Sequence, residues 1–284
     1  MAKLNINGAT LEVAQQGDGD TVLFVHGSNS DYRTWEAQMA EFSQHYRAVA
    51  FSRRFHWPNE KITEDADYSM LEHLDDLKAL IQSLGETPVH LVGHSYGAFL
   101  CLLLAMREPQ LIRSLVLGEA PVVTLFITMP PKPQQILKLL VTRPRTAVAL
   151  IKFAATGLVP ATKAMEQDDP EKSLRIFGPT VLGREAFNAM SPPRLAQARA
   201  NNFKAEFVGS GFLPVESAAV RRVQIPALLV TSQQSQPLFH RLTDRLEALL
   251  PHTERASIPS ASHIAHENNP AAYNAAVLDF LQRH

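Results

Sequence analysis

The sequence predicts an α/β fold: a mostly parallel eight-stranded sheet with helices on both faces and a helical cap inserted after the sixth strand. Three observations carry this expectation. Continuous apolar runs of strand length alternate with amphipathic helical stretches over residues 1–120 and again over 215–284, the pattern of parallel strands joined by crossover helices. Residues 121–214 carry helical apolar spacing and the pairs Pro130-Pro131 and Pro192-Pro193, with no convincing strand. The strand run Val89–Val92 leads through Gly93-His94-Ser95-Tyr96-Gly97 straight into an apolar helix. A chain of 284 residues accommodates one large core with an insertion. The expected division is therefore a core of residues 1–120 and 215–284 and a cap of residues 121–214.

Each element has a local reason. Leu4–Val13 alternates around Gly8 and reads as an opening antiparallel hairpin at the sheet edge. Thr21–Val25 is a buried strand ending in the small polar loop His26-Gly27-Ser28-Asn29-Ser30. Trp35, Met39 and Phe42 recur at helical spacing behind the potential N-caps Ser30 and Asp31. Tyr46–Phe51 is the next strand, and Ser52–Asn59 is an edge loop whose cations and aromatics suit either a pocket mouth or a solvated loop. Ser69 and Glu72 form a capping-box pattern ahead of the Leu71–Leu84 helix, which Gly85 closes. Ser114–Gly118 is a strand ending at Glu119; Pro226–Thr231 and Arg255–Ile258 are the last strands, with helices across Leu238–Leu250 and about Ala271–Leu281.

Composition bounds the function classes. Apolar residues at 45% and charged residues at 19% describe a soluble globular protein, and a formal charge of −1 supplies no overall field for nucleic acid or anionic membrane. The single cysteine, Cys101, lies in an apolar run and reads as core. The N-terminus shows neither a signal peptide nor a membrane span, so the expected setting is cytoplasmic, with a small-molecule substrate, no cofactor and no metal.

The chemistry centres on Ser95. A strand that reverses sharply into a helix forces the turn serine into a strained conformation, and only small residues two positions either side leave room. Serine needs a histidine to take its proton and a carboxylate to hold that histidine in the right tautomer. In this motif class the order along the chain is serine, acid, histidine, and His263 in the loop Ser260-Ala261-Ser262-His263 is the candidate base, with His266 as fallback. The loop Thr231–Pro237 holds no carboxylate and Asp244 lies inside the next helix, so Glu119, at the end of the strand after the elbow unit, is the candidate acid. The amides of Tyr96 and Ser28 are the candidate oxyanion donors. His26, Asn29, Arg54 and Trp57 are candidate pocket residues.

These residues resemble the α/β-hydrolase superfamily over essentially the whole chain. The matching pieces are Val25-His26-Gly27 with Trp35, Gly93–Gly97, Pro226–Val230, and Ser260–His263 followed by Asn269-Pro270. The resemblance implies Ser95 as nucleophile, His263 as base, the Ser28 and Tyr96 amides as oxyanion hole, and a cap between the sixth and seventh strands. Two departures stand out. The usual aspartate after the seventh strand falls at about Ser235, and haloalkane dehalogenases, which are similar in placing a glutamate after the sixth strand, support Glu119. The usual glycine-rich loop after the fourth strand is replaced by Ser52–Trp57. Epoxide hydrolases and dehalogenases on this scaffold resemble it with an aspartate nucleophile, which Ser95 argues against. The expected function is a serine hydrolase cleaving a carboxylic ester or related acyl bond of a small, hydrophobic substrate through an acyl-enzyme. The alternatives are a cofactor-free C–C bond hydrolase or lyase on the same triad, or a non-catalytic binding protein.

Overall fold

The computed structural model describes residues 1–63, 66, 68–209 and 211–284. Eight strands form one sheet: β1 (Ala2–Ile6), β2 (Ala9–Gln16), β3 (Thr21–Val25), β4 (Arg47–Phe51), β5 (Val89–His94), β6 (Ile112–Gly118), β7 (Ala227–Ser232) and β8 (Thr253–Ile258). Their spatial order is β1-β2-β4-β3-β5-β6-β7-β8. β1 and β2 pair antiparallel across Asn7-Gly8, both at positive φ (47° and 78°), as a tight hairpin turn requires. β2 also pairs antiparallel with β4, and every other pairing is parallel.

The sheet is apolar on both faces, which is why its strands read as continuous runs. Val22, Phe24, Ala48, Ala50, Val92, Val116, Leu228 and Val230 face one layer. There they pack with α1 (Glu36–Phe42) and a late helix numbered below, through Trp35, Met39, Phe42, Tyr273, Val277 and Phe280. The alternate residues Leu23, Val25, Val49, Leu91, Leu115, Leu117 and Leu229 face the other layer, with α2 (Met70–Ser83) and α3 (Tyr96–Arg107). The two-residue period of a strand thus builds two cores from one set of runs.

The chain between β6 and β7 is helical: α4 (Pro133–Thr142), α5 (Pro144–Phe153), α6 (Val159–Glu166), α7 (Pro170–Leu182), α8 (Arg184–Asn188), α9 (Pro192–Ala200), α10 (Lys204–Val208) and α11 (Ser217–Val220), with no strand among the described residues. The core closes with α12 (Pro237–Glu247), α13 (Ala265–Asn268) and α14 (Pro270–Gln282), the late helix on the first layer. Two local expectations shift. α12 stops at Glu247 rather than running to Leu250. The capping box before α2 is half made: the Ser69 side chain accepts from the Leu71 amide, while Glu72 lies 3.4 Å from Arg54.

Candidate active site

Ser95 sits between the last residue of β5 and the first of α3, at φ 50° and ψ −119°, a conformation that non-glycine residues adopt only when their surroundings impose it. The neighbouring glycines show what imposes it. A Cβ on Gly93 would lie 2.6 Å from the Ala98 Cα, and one on Gly97 would overlap Val25 O and sit 2.5 Å from His26 O. Backbone fills both places, so a methyl group fits only if strand and helix separate. Gly97→Ala is expected to destabilise the fold by roughly 3 kcal/mol, the upper range for overpacking, and to lower Tm on the order of 10 °C. A thermal melt superimposable on wild type would show that the elbow has slack.

β5 and β6 are neighbours with His94 opposite Gly118, and the Ser95 amide donates to Gly118 O at 2.8 Å. Glu119 is the next residue, at φ 46°, and is buried. Its carboxylate collects three donors. Oε1 accepts from the Ser232 amide at 2.9 Å, and Oε2 accepts from Ser235 Oγ at 2.5 Å and from His263 Nδ1 at 2.6 Å. Ser235, where the resemblance places an aspartate, therefore serves as a donor to the carboxylate that replaces it. A carboxylate on Nδ1 puts the ring proton there and leaves Nε2 with its lone pair. His263 Nε2 is buried and has no hydrogen bond to any described residue. The ring is held from two further sides: Phe239 stacks on it with centroids 4.0 Å apart, and His94 Nε2 donates to the His263 carbonyl at 2.9 Å. Burial keeps His94 well below the usual histidine range and so neutral.

Ser28 follows Gly27, which lies directly against the elbow; a Cβ on Gly27 would stand 3.0 Å from both His94 Nδ1 and Ser95 Cβ. Tyr96 is the first residue of α3, so its N–H lies outside the helix's own hydrogen-bond ladder. Ser95, Glu119, His263, Ser28 and Tyr96 are thus brought to one edge of the sheet. His266, the fallback base, is buried instead between Trp35 and Thr34: it stacks at 4.3 Å on the indole and pairs through Nε2 with Thr34 Oγ1 at 2.9 Å. Burial holds its pKa down at about 4.

The four expected pocket residues are each held by specific partners. Arg54 makes two 2.7 Å hydrogen bonds to Asp76 and lines a surface cavity with Asn7, Glu72 and Lys78. Trp57 is 40% exposed and stacks with Tyr32 beneath the Arg33 guanidinium, 3.7 Å from the ring centroid. His26 is fully buried: Nδ1 donates to Gly27 O at 2.8 Å and Nε2 accepts from the Arg53 amide at 2.9 Å. Burial, with Arg53 second, pushes its pKa down to about 3, so it is a neutral structural tie. Asn29 is buried and donates to Asn202 Oδ1 at 2.7 Å.

The residues that sequence reading misses form a buried charged cluster beside the elbow. Arg53 donates through Nη1 to Tyr68 Oη at 2.8 Å, and through Nη2 to Gly27 O and Glu206 Oε1, both at 3.1 Å. Its guanidinium lies 4.4 Å over the Tyr96 ring. Glu206 comes from α10, and Tyr68 Oη also donates to its Oε1 at 3.1 Å. Only the Arg53 position after a strand was visible in advance; its partner lies 153 residues away. Among the described residues no group of three or more His, Cys, Asp or Glu side chains is arranged to hold a metal ion.

The sequence pattern of the α/β hydrolase fold family matches residues 20–270. This chain belongs to that family. It is 26% identical over 293 aligned residues to epoxide hydrolase 3 of Xenopus tropicalis, covering 99% of this chain and 77% of that protein. It is 27% identical over 286 residues to 2-(acetamidomethylene)succinate hydrolase of Mesorhizobium japonicum, covering 98% and 94% respectively. Among solved structures it is similar to a variant of an epoxide hydrolase from Bacillus megaterium, at TM-score 0.73 and 21% identity over 99% of this chain and 100% of the other. The superfamily and the eight-stranded, mostly parallel sheet expected from the sequence are thereby established, as is membership of a family of hydrolases.

Proposed function

We propose that this protein is a serine hydrolase that cleaves a carboxylic ester or related acyl bond of a small hydrophobic substrate through an acyl-enzyme. The observation that carries this reading is the buried 2.6 Å bond between Glu119 and His263 Nδ1, at the same sheet edge as a strained, partly exposed Ser95. The resemblance associates epoxide hydrolases of this fold with an aspartate nucleophile, and a serine at position 95 supports the acyl-enzyme route instead. The aromatic surroundings of the site, with Phe239 on His263, Phe153 against Phe239 and Phe212 against Tyr96, favour an apolar substrate.

In this reading Ser95 Oγ attacks the acyl carbon as its proton passes to His263 Nε2. Glu119 stabilises the imidazolium, and the carbonyl electron pair moves onto oxygen, where the Ser28 and Tyr96 N–H groups receive it. Collapse breaks the acyl–oxygen bond and His263 hands its proton to the departing alcohol. Water then attacks the acyl-enzyme, gives a proton to His263, and releases the acid while Ser95 regains its proton. The Ser28 N–H belongs to the same peptide unit as Gly27 C=O, on which His26 Nδ1 and Arg53 Nη2 converge. Two donors on that oxygen fix the plane of the peptide and polarise it, strengthening the N–H on its other side. Arg53 is a positioning residue in this scheme.

A fluorophosphonate probe tests the reading. The expected result is phosphonylation of Ser95 Oγ with loss of fluoride, no labelling of Ser95→Ala, and loss of short aryl-ester turnover in that variant to below roughly 10⁻⁴ of wild type. Labelling without any ester turnover would favour C–C bond cleavage on the same triad. No labelling of the folded wild type would leave a binding protein.

A further inference from the structure

Eleven large apolar side chains are exposed among the described residues, and seven of them fall between Met129 and Val159. On α5, and through the turn of π-helix (Ala154–Leu158) that continues it into α6, Val148, Ile151, Ala155 and Val159 are exposed at spacings of three and four residues and so form one stripe. On α4, which packs beside α5, Leu137, Leu140 and Val141 are exposed in the same manner. Cations border both stretches. Lys132, Lys138, Arg143, Arg145, Lys152 and Lys163 are all exposed, and none is in an ion pair among the described residues. Residues 120–165 contain no aspartate or glutamate, so all 28 carboxylates lie elsewhere. A net charge of −1 averages this asymmetry away.

We propose that the exposed face of α4–α6 docks on an anionic lipid surface. An apolar stripe bordered by unpaired lysines and arginines is the composition of a helix that lies in the headgroup region. The run Pro144–Glu166 is long and apolar enough, by length and composition alone, to cross a membrane. Its other face nevertheless carries the buried Ala147, Leu150, Ala161, Ala164 and Met165, so the helix is committed to the protein and offers a lipid surface one side only. A second copy of this chain is the poorer occupant, because a twofold contact would bring the same unpaired cations together.

Flotation of the intact protein with vesicles tests this without reference to turnover, so its failure is separate from that of the serine mechanism. The expected result is flotation with vesicles of phosphatidylcholine and phosphatidylglycerol, none with phosphatidylcholine alone, and release as salt shortens the screening length toward roughly 3 Å. Each cation at such a surface is worth on the order of fivefold in partitioning, so Lys138→Gln with Lys152→Gln should lower it about 25-fold. Val148→Ser with Val159→Ser should also weaken it. All four positions are exposed, and an unchanged thermal melt accompanies each expected loss. Equal flotation with both vesicle types, flotation with neither, or a concentration-dependent dimer dissolved by the valine variants would overturn the proposal.

Discussion

Replacing Glu119 by glutamine is expected to lower kcat roughly 10⁴-fold with KM nearly unchanged, the effect of presenting the wrong histidine tautomer. The geometry dictates which way the amide turns. The Ser232 backbone N–H is a fixed donor 2.9 Å from Oε1, so the glutamine oxygen stays there and its NH₂ faces His263 Nδ1. A donor at Nδ1 drives the ring proton to Nε2, which can then no longer accept from Ser95. Asp244→Asn is the matched control: Asp244 is paired with Arg255 at 2.8 Å on the surface, and its loss should change kcat less than twofold. Because Ser235 Oγ already touches Glu119 Oε2, adding Ser235→Asp to Glu119→Gln returns a carboxylate to the imidazole and should restore much of the activity. Steady-state kinetics on the three variants decides the matter. A Glu119→Gln enzyme as fast as wild type would remove Glu119 from the mechanism.

Arg53→Met should be the most destabilising single change outside the apolar core, costing about 3–5 kcal/mol because it strands the Glu206 carboxylate in a site that is 4% exposed. Glu206→Gln added to Arg53→Met removes the orphaned charge and should recover most of that loss in chemical denaturation. Turnover is expected to behave differently. Gly27 O keeps His26 but loses Arg53, and the Tyr96 ring loses the cation above it, so both oxyanion residues are less firmly held. A whole oxyanion donor carries roughly 10²–10³-fold in kcat, and weakening its support should cost about tenfold with little change in KM. If the double variant regains both stability and kcat, Arg53 serves architecture alone.

The contrast between Glu119 and Arg53 marks what the sequence reveals. The sheet was legible because strands apolar on both faces write continuous runs, and the elbow because Gly93 and Gly97 are each demanded by backbone that fills the space of a side chain. Glu119 was legible by elimination, since Thr231–Pro237 lacks a carboxylate and strand ends share an edge. Arg54, Trp57 and His26 show the limit of a loop position: it says where a side chain starts, and only its partner says where it goes. Those partners, Asp76, Arg33 and Gly27 O, are ordinary in the sequence. The basic, apolar stretch around α4–α6 was hidden for a different reason, because averages over the whole chain cancel local charge.

The Arg53–Glu206 pair also has a mechanical meaning. It is one of a set of polar ties between the end of the helical segment and the core: Asn201 and Gln197 bond Asp31, Asn202 bonds Asn29, and Arg194 pairs with Glu267. The opposite end of the segment leans on the core through apolar contacts, Phe153 on Phe239 among them. One end is bolted and the other rests. That apolar end reaches the ring of His263 through two successive aromatic contacts, Phe153 on Phe239 and Phe239 on the imidazole.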